Sequence, residues 1–500
     1  MLHGFLQEAK MPKTYRLNAE QREFFSIVSQ AVLANPFSDE RMEMDLKIAG
    51  MFPGVPLNQL VKAAVGEVRR RIEQFESSGM CEINRFSGKD RQILTSACLF
   101  DIFYIFVGQF DSLIQGQITA GEKSLKTAFA NDVFSIFLKR GFSKEEALQY
   151  FALFYQLRRA YYFIHHGLVG RSQCMKKLRE SLWNKVFTYD LDIYNRFLWN
   201  RMEDFSTLIL GETGSGKGAA AMAIGRSGFI PFDEKKSCFA ESFTRSFVSM
   251  NLSQFSENLI ESELFGHKKG AFTGAVSDHE GMLDDCSAYG SIFLDEIGEV
   301  SPPVQIKLLK VLEERTYSPV GSHDEKRFHG RIIAATNRPI DEIRNKSLLR
   351  DDFFYRLCSD IIIVPPLRQR IEEDPGELDD LLALTIDRIT GQPSRELVSL
   401  TKKTIDKELG KNYSWPGNVR ELGQCVRRIL LNRNYTTEFY SPQKPSYPSR
   451  LAQDMDNGNI DAKNLLKGYC MHLFQKFGTY IEVARRSGLD SRTVKKYIDE

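Results

Sequence analysis

STLILGETGSGKGAAAMAIG, residues 206–225, decides the architecture. An apolar run ends in a glycine-rich turn, and the turn opens directly into an alanine-rich helical run. A strand, a GxxxxGK loop and a helix in that order make a phosphate-binding loop. Gly211, Gly214 and Gly216 let backbone N–H groups face phosphate oxygens, with Glu212, Thr213 and Ser215 between them, and the helix N-terminus adds positive potential. Lys217 stands in register to reach the β- and γ-phosphates. Gly211 through Gly218 are therefore the expected nucleotide-binding residues, with ATP as cofactor. A glycine-rich loop alone is often only a turn; the lysine in register after a strand sets this one apart. Gly218 departs from the general pattern, in which Ser or Thr offers magnesium a hydroxyl. The expected Mg2+ must then rely on phosphate oxygens, water and a carboxylate from elsewhere.

That carboxylate is expected in SIFLDEIGE, where Asp295 and Glu296 end an apolar run. Two acids there could simply close a sheet edge. Downstream of a phosphate-binding loop, Asp295 reads as the magnesium residue and Glu296 as the group that polarises the attacking water.

Outward from this stretch the texture changes in both directions. Short apolar runs ending in Gly, Asp or Asn turns, including RIIAATN, alternate with helical stretches, which predicts a parallel α/β sheet over 185–367. Before it, the pattern is helical throughout. Phe24, Phe25, Val28 and Val32 share a face, and Ser143 with Glu146 forms an S-x-x-E capping box. Without alternating strands a phosphoacceptor receiver domain is not expected, and no chemistry is readable in 1–184. The apolar stretch 93–108 carries Asp101 in its middle and predicts a buried helix, not a membrane span. After Pro365 and Pro366 the helical pattern returns as a lid, 368–438, broken at Trp415-Pro416-Gly417. A proline-containing linker, 439–460, precedes a helical tail, 461–500.

The 500 residues are 42% hydrophobic and 26% charged with a net charge of +2, which excludes wholesale disorder and makes any nucleic-acid surface local. Eight scattered cysteines with no C-x-x-C pair argue against a zinc site and fit a reducing cytoplasm. Adjacent His165 and His166 make poor metal-ligand geometry and read as a partly buried pair. No signal-peptide core opens the chain, and no membrane partner is expected.

NLIESELFGHKKGAFTGA, 258–275, closely resembles the signature segment of the bacterial enhancer-binding proteins, the sigma-54-dependent transcription activators. GAFTGA itself, Gly270, Ala271, Phe272, Thr273, Gly274 and Ala275, is that family's hallmark. SIFLDEIGEVSPPVQIKLLKVLEE, RIIAATNRP, DDFFYRL, PPLRQR and WPGNVREL follow in order, so the resemblance spans roughly residues 205–430. It implies a ring-forming AAA+ ATPase, commonly a hexamer. In that family the GAFTGA loops contact sigma-54 and turn the closed complex of sigma-54 RNA polymerase into an open one. By the same resemblance, Asn251 restrains the catalytic Glu296 and Asn337 lies near the γ-phosphate. Arg350 and Arg356 stand where arginine fingers serve the neighbouring subunit, although an ion pair with Asp351, Asp352 or Asp360 is the plainer alternative. Arg420 would face the γ-phosphate from the lid, and Asn418 could cap its helix. Two departures are Gly218, where the family usually has Glu, and a long stretch FIPFDEKKSCFAESFTRS, expected to form a surface loop.

The tail FGTYIEVARRSGLDSRTVKKYIDE reads as a helix-turn-helix: Ile481, Val483 and Ala484 inward, Gly488 at the turn, Ser491 capping a second helix, Val494 and Tyr497 inward. Arg492, Thr493, Lys495 and Lys496 are left for the major groove of double-stranded DNA, with Arg485 and Arg486 on phosphates. From residue 462 onward eight basic residues face four acids. Basic helix pairs are often only solvated surface, but this one also resembles the family's Fis-type tail and would bind enhancer sites. The expected fold is therefore multidomain: an all-α N-terminal domain of regulatory position, an α/β AAA+ P-loop domain with a helical lid, and a C-terminal helix-turn-helix. The competing readings are another AAA+ machine, such as an unfoldase or loader, and a DNA-binding regulator whose ATPase has decayed.

Overall fold

The computed structural model describes residues 15–80, 82–345, 348–432, 455, 458 and 460–499. The expected linker at 439–460 lies outside the described residues but for three isolated positions. Two units are present, one running to Ser399 and including Tyr413–Val426, the other made of Leu400–Asn412 and Arg427 onward.

Among the described residues, seven helices of ten residues or more precede the sheet: α1 (Ala19–Leu33), α2 (Asp39–Ala49), α3 (Leu57–Ser77), α4 (Gly88–Ala120), α5 (Ala130–Lys139), α6 (Lys144–Gly167) and α7 (Gln173–Phe187). The expected capping box starts α6, with Glu146 N–H donating to Ser143 Oγ and Ser143 N–H to the Glu146 carboxylate. Asp101 of α4 is buried between Arg140 (2.6 Å) and Arg69 (3.1 Å). Its charge is compensated, so the apolar stretch around it packs as the interior helix that its sequence predicts. His165 and His166 lie exposed in the last turn of α6, not half-buried.

Five strands, β1 (Thr207–Leu210), β2 (Phe247–Asn251), β3 (Ser291–Asp295), β4 (Arg331–Thr336) and β5 (Ile361–Ile363), form one sheet in the order β2-β3-β4-β1-β5. Every pairing is parallel. Buried on both faces, β1 and β4 are apolar almost throughout instead of alternating. On one face Leu208, Ile292, Leu294 and Ile332 meet helices α9 (Glu257–Phe265), α10 (Pro302–Glu314) and α11 (Asp351–Leu357). On the other, Ile209, Phe293, Ile333 and Ile362 share a core with α8 (Lys217–Gly225), the helix that follows the phosphate loop, and with the N-terminal helices.

That shared core corrects two expectations. The expected boundary at 184/185 cuts through α7, which packs on α8 and β5. The stretch after α8, expected as a surface loop, is a hairpin of Phe232–Asp233 with Cys238–Phe239 whose aromatics enter the N-terminal helices. Phe239 stacks on Tyr155 of α6 at 3.9 Å, Phe232 meets Phe151 edge-on at 4.9 Å, and Thr127 N–H donates to Ser237 O at 2.9 Å. The boundary at 367/368 likewise falls within a helix, α12 (Leu367–Glu373). Beyond it come α13 (Gly376–Thr390), α14 (Arg395–Glu408) and α15 (Asn418–Asn432).

In the second unit, α16 (Ala462–Phe477), α17 (Tyr480–Ser487) and α18 (Ser491–Asp499) close around Cys470, Leu473, Val483 and Val494. Gly488, at φ 70°, makes the turn between α17 and α18. Asp490, not Ser491, caps α18, accepting from Arg492 N–H (2.9 Å) and Thr493 N–H (3.0 Å). Ile481, expected inward, is 78% exposed.

Phe239→Ala empties a site that is 3% exposed and is expected to cost about 3–5 kcal/mol of stability. Urea unfolding followed by near-UV dichroism of the aromatic core checks this, and an unchanged midpoint would contradict it.

Candidate nucleotide site and GAFTGA loop

The phosphate loop leaves β1 under tight constraint. A Cβ at Gly211 would come within 3.0 Å of Val364 O, and one at Gly214, where φ is 77°, within 2.4 Å of Gly417 O. The lid backbone therefore lies directly against the loop, and glycine is the residue that permits it. Gly218 carries no such constraint, since a Cβ there would meet nothing within 4 Å. Lys217 Nζ donates to Gly211 O (2.9 Å) and Glu212 O (3.3 Å). Burial pushes its ammonium below the usual range, partly offset by the nearby charges of Glu296 and Asp295.

Those acids end β3, beside β4 and one strand from β1, so loop and acids meet at the carboxyl edge of the sheet. Glu296 adopts φ 58°, a left-handed conformation that costs a non-glycine residue about 1–2 kcal/mol. Strain of this kind concentrates at functional sites. Asp295 Oδ1 accepts from Glu296 N–H at 3.1 Å, and Glu296 Oε2 accepts from Asn337 N–H at 3.3 Å. Asn337 Nδ2 in turn donates to Thr213 Oγ1 at 3.1 Å, joining the acid to the phosphate loop. A cavity of about 500 Å³ opens beside Thr213, Asn337 and Arg338. Asn251 pairs with Asp295 across the strands, but its side-chain oxygen accepts from Ser253 N–H (3.0 Å) and Oγ (2.7 Å) and not from a group on Glu296.

The lid closes on this edge through polar contacts. Arg420 lies close enough to Lys217 for its charge to bear on that ammonium. Asn418, fully buried at φ 54°, does not cap α15 with its side chain as expected. Its Oδ1 accepts from Leu367 N–H (2.7 Å), while Nδ2 donates to Glu212 Oε2 and Thr213 O, both at 3.1 Å. The start of α15 is held by Glu421, whose carboxylate accepts from Gly417 N–H at 2.8 Å. Arg368 forms a two-pronged pair with Glu212, so that carboxylate faces the lid and not the loop's phosphate-facing amides.

A second tie escaped the sequence reading. Glu377, fully buried, accepts from Ser172 N–H (2.8 Å) and Oγ (2.5 Å) and from Arg370 Nη2 (2.8 Å). The available signal was the acid-rich start of the lid helix α13, where Glu377 and Asp379 follow closely on the arginines of PPLRQR.

The GAFTGA segment is a closed loop in which Gly270 N–H donates to Ala275 O at 2.8 Å, with positive φ at Gly270 and Gly274. Ala275 is buried, Thr273 is exposed, and Phe272 is 40% exposed with its ring edge-on to His267 at 4.9 Å. Lys268 N–H donates to Val320 O, so the loop rests on the neighbouring segment that follows α10. Arg350 pairs with Asp352 at 2.7 Å, one of the plainer alternatives, and Arg356 donates to Leu312 O. On α18, Arg492, Lys495 and Lys496 are exposed, whereas the Thr493 hydroxyl is tied to Asp490 at 2.5 Å.

Phosphate loop, acidic strand end and helical lid on a 2-3-4-1-5 parallel sheet define a P-loop domain of the AAA+ class. Comparison with known proteins agrees. Residues 192–362 match the family model of the sigma-54 interaction domain. The transcriptional regulatory protein ZraR of Salmonella typhimurium is 34% identical over 338 residues, 66% of this chain and 67% of that protein. The chain belongs to the family of sigma-54-dependent transcription activators. The Nif-specific regulatory protein of Azotobacter vinelandii is 42% identical over 233 residues, 47% of this chain and 40% of its own length, so the chain spans about two fifths of that relative. NtrX from Brucella abortus, solved in complex with ATP, superposes loosely (18% identity, TM-score 0.40, 74% of this chain and 80% of that one).

Asn418→Ala should destabilise by about 1–3 kcal/mol, from the orphaned Leu367 N–H, with a further cost for a left-handed alanine. Asn418→Gly relieves the second term alone, so thermal unfolding of the two variants separates them. Arg368 holds the Glu212 carboxyl below its usual range. A depressed folded value supplies stability that is fully present above the ordinary carboxyl range and is lost as pH falls from there through the lower folded value. The acid loss of stability should therefore be smaller in Glu212→Gln than in wild type, as read from unfolding midpoints against pH.

Proposed function

We propose that this chain is an ATP-hydrolysing activator that remodels the closed complex of sigma-54 RNA polymerase into an open one, working as a ring, commonly a hexamer, bound to enhancer DNA in the cytoplasm. The observation that carries the reading is the convergence of Lys217, Asp295, Glu296, Asn337 and Arg420 at one sheet edge, with GAFTGA on the same domain. Gly211 through Gly218 hold the nucleotide, and Asp295 holds Mg2+ directly or through water. Glu296 polarises the attacking water, and Asn251 would have to turn from Ser253 to restrain it. Arg350 and Arg356 leave their present partners to serve a neighbouring subunit's site; such fingers are worth about 10³–10⁵ in rate. Arg420 couples the lid to the phosphate.

Phe272 and Thr273, held out between two glycines, engage sigma-54. Arg492, Lys495 and Lys496 face the DNA major groove with Thr493 acting through its methyl group, since its hydroxyl is already used. The N-terminal helices, by position, supply regulatory input.

The test is open-complex formation on a sigma-54 promoter with purified chain, ATP and sigma-54 polymerase. Wild type is expected to open DNA, and Thr273→Ala to hydrolyse ATP without opening it. Glu296→Gln should bind nucleotide but lose about 10²–10⁴ in turnover. A wild type that hydrolyses ATP yet opens no sigma-54 promoter would instead mark a remodeller of other proteins.

A further inference from the structure

Helix α8 begins at Lys217 and ends at Gly225, and its far end is held by an unusual set of donors. The carbonyls of Met222, Ala223 and Ile224 accept from Arg226 N–H, Ser227 Oγ and Ser227 N–H, all within the local turn. The carbonyls of Arg226, Ser227 and Gly228 accept instead from α6. Arg159 Nη1 reaches Arg226 O (2.8 Å), Gln156 Nε2 reaches Ser227 O (2.9 Å) and Arg159 Nη2 reaches Gly228 O (2.7 Å). Both donors are almost fully buried, and Tyr194 fixes Gln156 by donating to its Oε1 at 2.9 Å. The Arg159 guanidinium lies over the Tyr155 ring at 4.5 Å and, among the described residues, is hydrogen-bonded to backbone carbonyls and to no carboxylate. Its positive charge is set against the negative end of the α8 dipole.

This arrangement does what the apolar packing of α8 cannot. The helix meets its surroundings mainly through Ala220, Ala221, Ala223 and Ile224. Alanine surfaces are smooth and the attraction between them is non-directional, so they bury the helix without fixing its axial position or rotation. Three directional bonds at one end fix both. At 1.5 Å rise per residue the clasp acts about 12 Å behind Lys217 along a single helix. Beyond the clasp, the hairpin gripped by α6 leads into β2, which ends at Asn251.

We propose that Arg159, assisted by Gln156, is a positioning residue of the nucleotide site, holding α8 so that Lys217 and the loop amides are correctly placed for the phosphates. It makes α6 the element through which the N-terminal helices act on ATP. The proposal rests on the ATPase reading above for turnover, but its effect on nucleotide affinity stands without it.

The experiment measures nucleotide Kd, KM and kcat, with Tm alongside, for full-length Arg159→Lys and Gln156→Met. Lysine keeps the charge but lacks the fork that spans two carbonyls. The control is Arg158→Met, whose guanidinium pairs with Asp111 inside the helical domain at 2.8 Å and stacks on Tyr161 of its own helix. Arg159→Lys is expected to raise Kd and KM roughly tenfold, with a smaller change in kcat, and Gln156→Met to do so to a lesser degree. Arg158→Met should lower Tm with Kd and KM unchanged. The proposal is overturned if the two clasp variants behave like the control, losing Tm while keeping wild-type Kd and KM. Should Arg159→Lys not fold, Gln156→Met against Arg158→Met decides. A wild type that binds nucleotide but never hydrolyses it sinks the ATPase reading alone, leaving the Kd comparison to judge the clasp. A wild type that binds none overturns both.

Discussion

A parallel sheet is covered on both faces, because its crossover connections lay helices across them and its strands are apolar on both sides. In this chain the covering layer on one side is α8 with α7, and α8 is too small and too smooth to form an outer surface. It exposes little beyond Gly218 and Met222. A second layer is therefore required, and the N-terminal helices supply it through α6. The hairpin after α8, the aromatic cluster around Tyr155 and the buried guanidinium of Arg159 all follow from that requirement.

The opposite end of the same helix is governed by close backbone approach. A Cβ at Gly214 would collide with Gly417 O, so the phosphate loop and the segment leading into α15 are packed backbone against backbone. Asn418 and Arg368 convert that contact into specific polar bonds to Glu212 and Thr213. The phosphate loop, the lid backbone facing it and the start of α8 are thus held by one set of contacts. Glu377 adds the base of the lid to it, receiving bonds from Ser172 ahead of α7.

The phosphate loop, the acidic strand end and the sheet were legible in the sequence because each combines a period with a fixed local geometry. GETGSGKG needs its strand and helix, and SIFLDE and RIIAAT are too apolar for anything but buried parallel strands. The hairpin was not legible, since extra length between two motifs reads as a loop. Its signal was composition: Phe229, Phe232, Phe239 and Phe243 are too many rings for a solvated excursion. The alanine-rich run of α8 carried a matching signal, a helix apolar nearly all round, which implies cover on two sides. Asn418 and Asp490 show the limit of local rules. Asn418 sits where a cap is expected, yet a left-handed backbone turns its amide to the phosphate loop. Asp490, one residue earlier than the expected Ser491, brings a carboxylate within reach of two free N–H groups. Ile481 fell outside because short helices such as α17 bury only one narrow stripe, taken by Val483.

The hairpin at 232–239 is encoded inside the ATPase domain, yet its side chains complete the core of the helices that come before it. The two parts are separated in sequence and inseparable in packing. A recombination that joined these helices to another activator's ATPase would leave Tyr155 and Phe151 facing solvent unless residues 229–246 travelled with them. The unit of exchange for this N-terminal domain is therefore discontinuous, a helical block plus a distant insert, and neither piece is inherited usefully without the other.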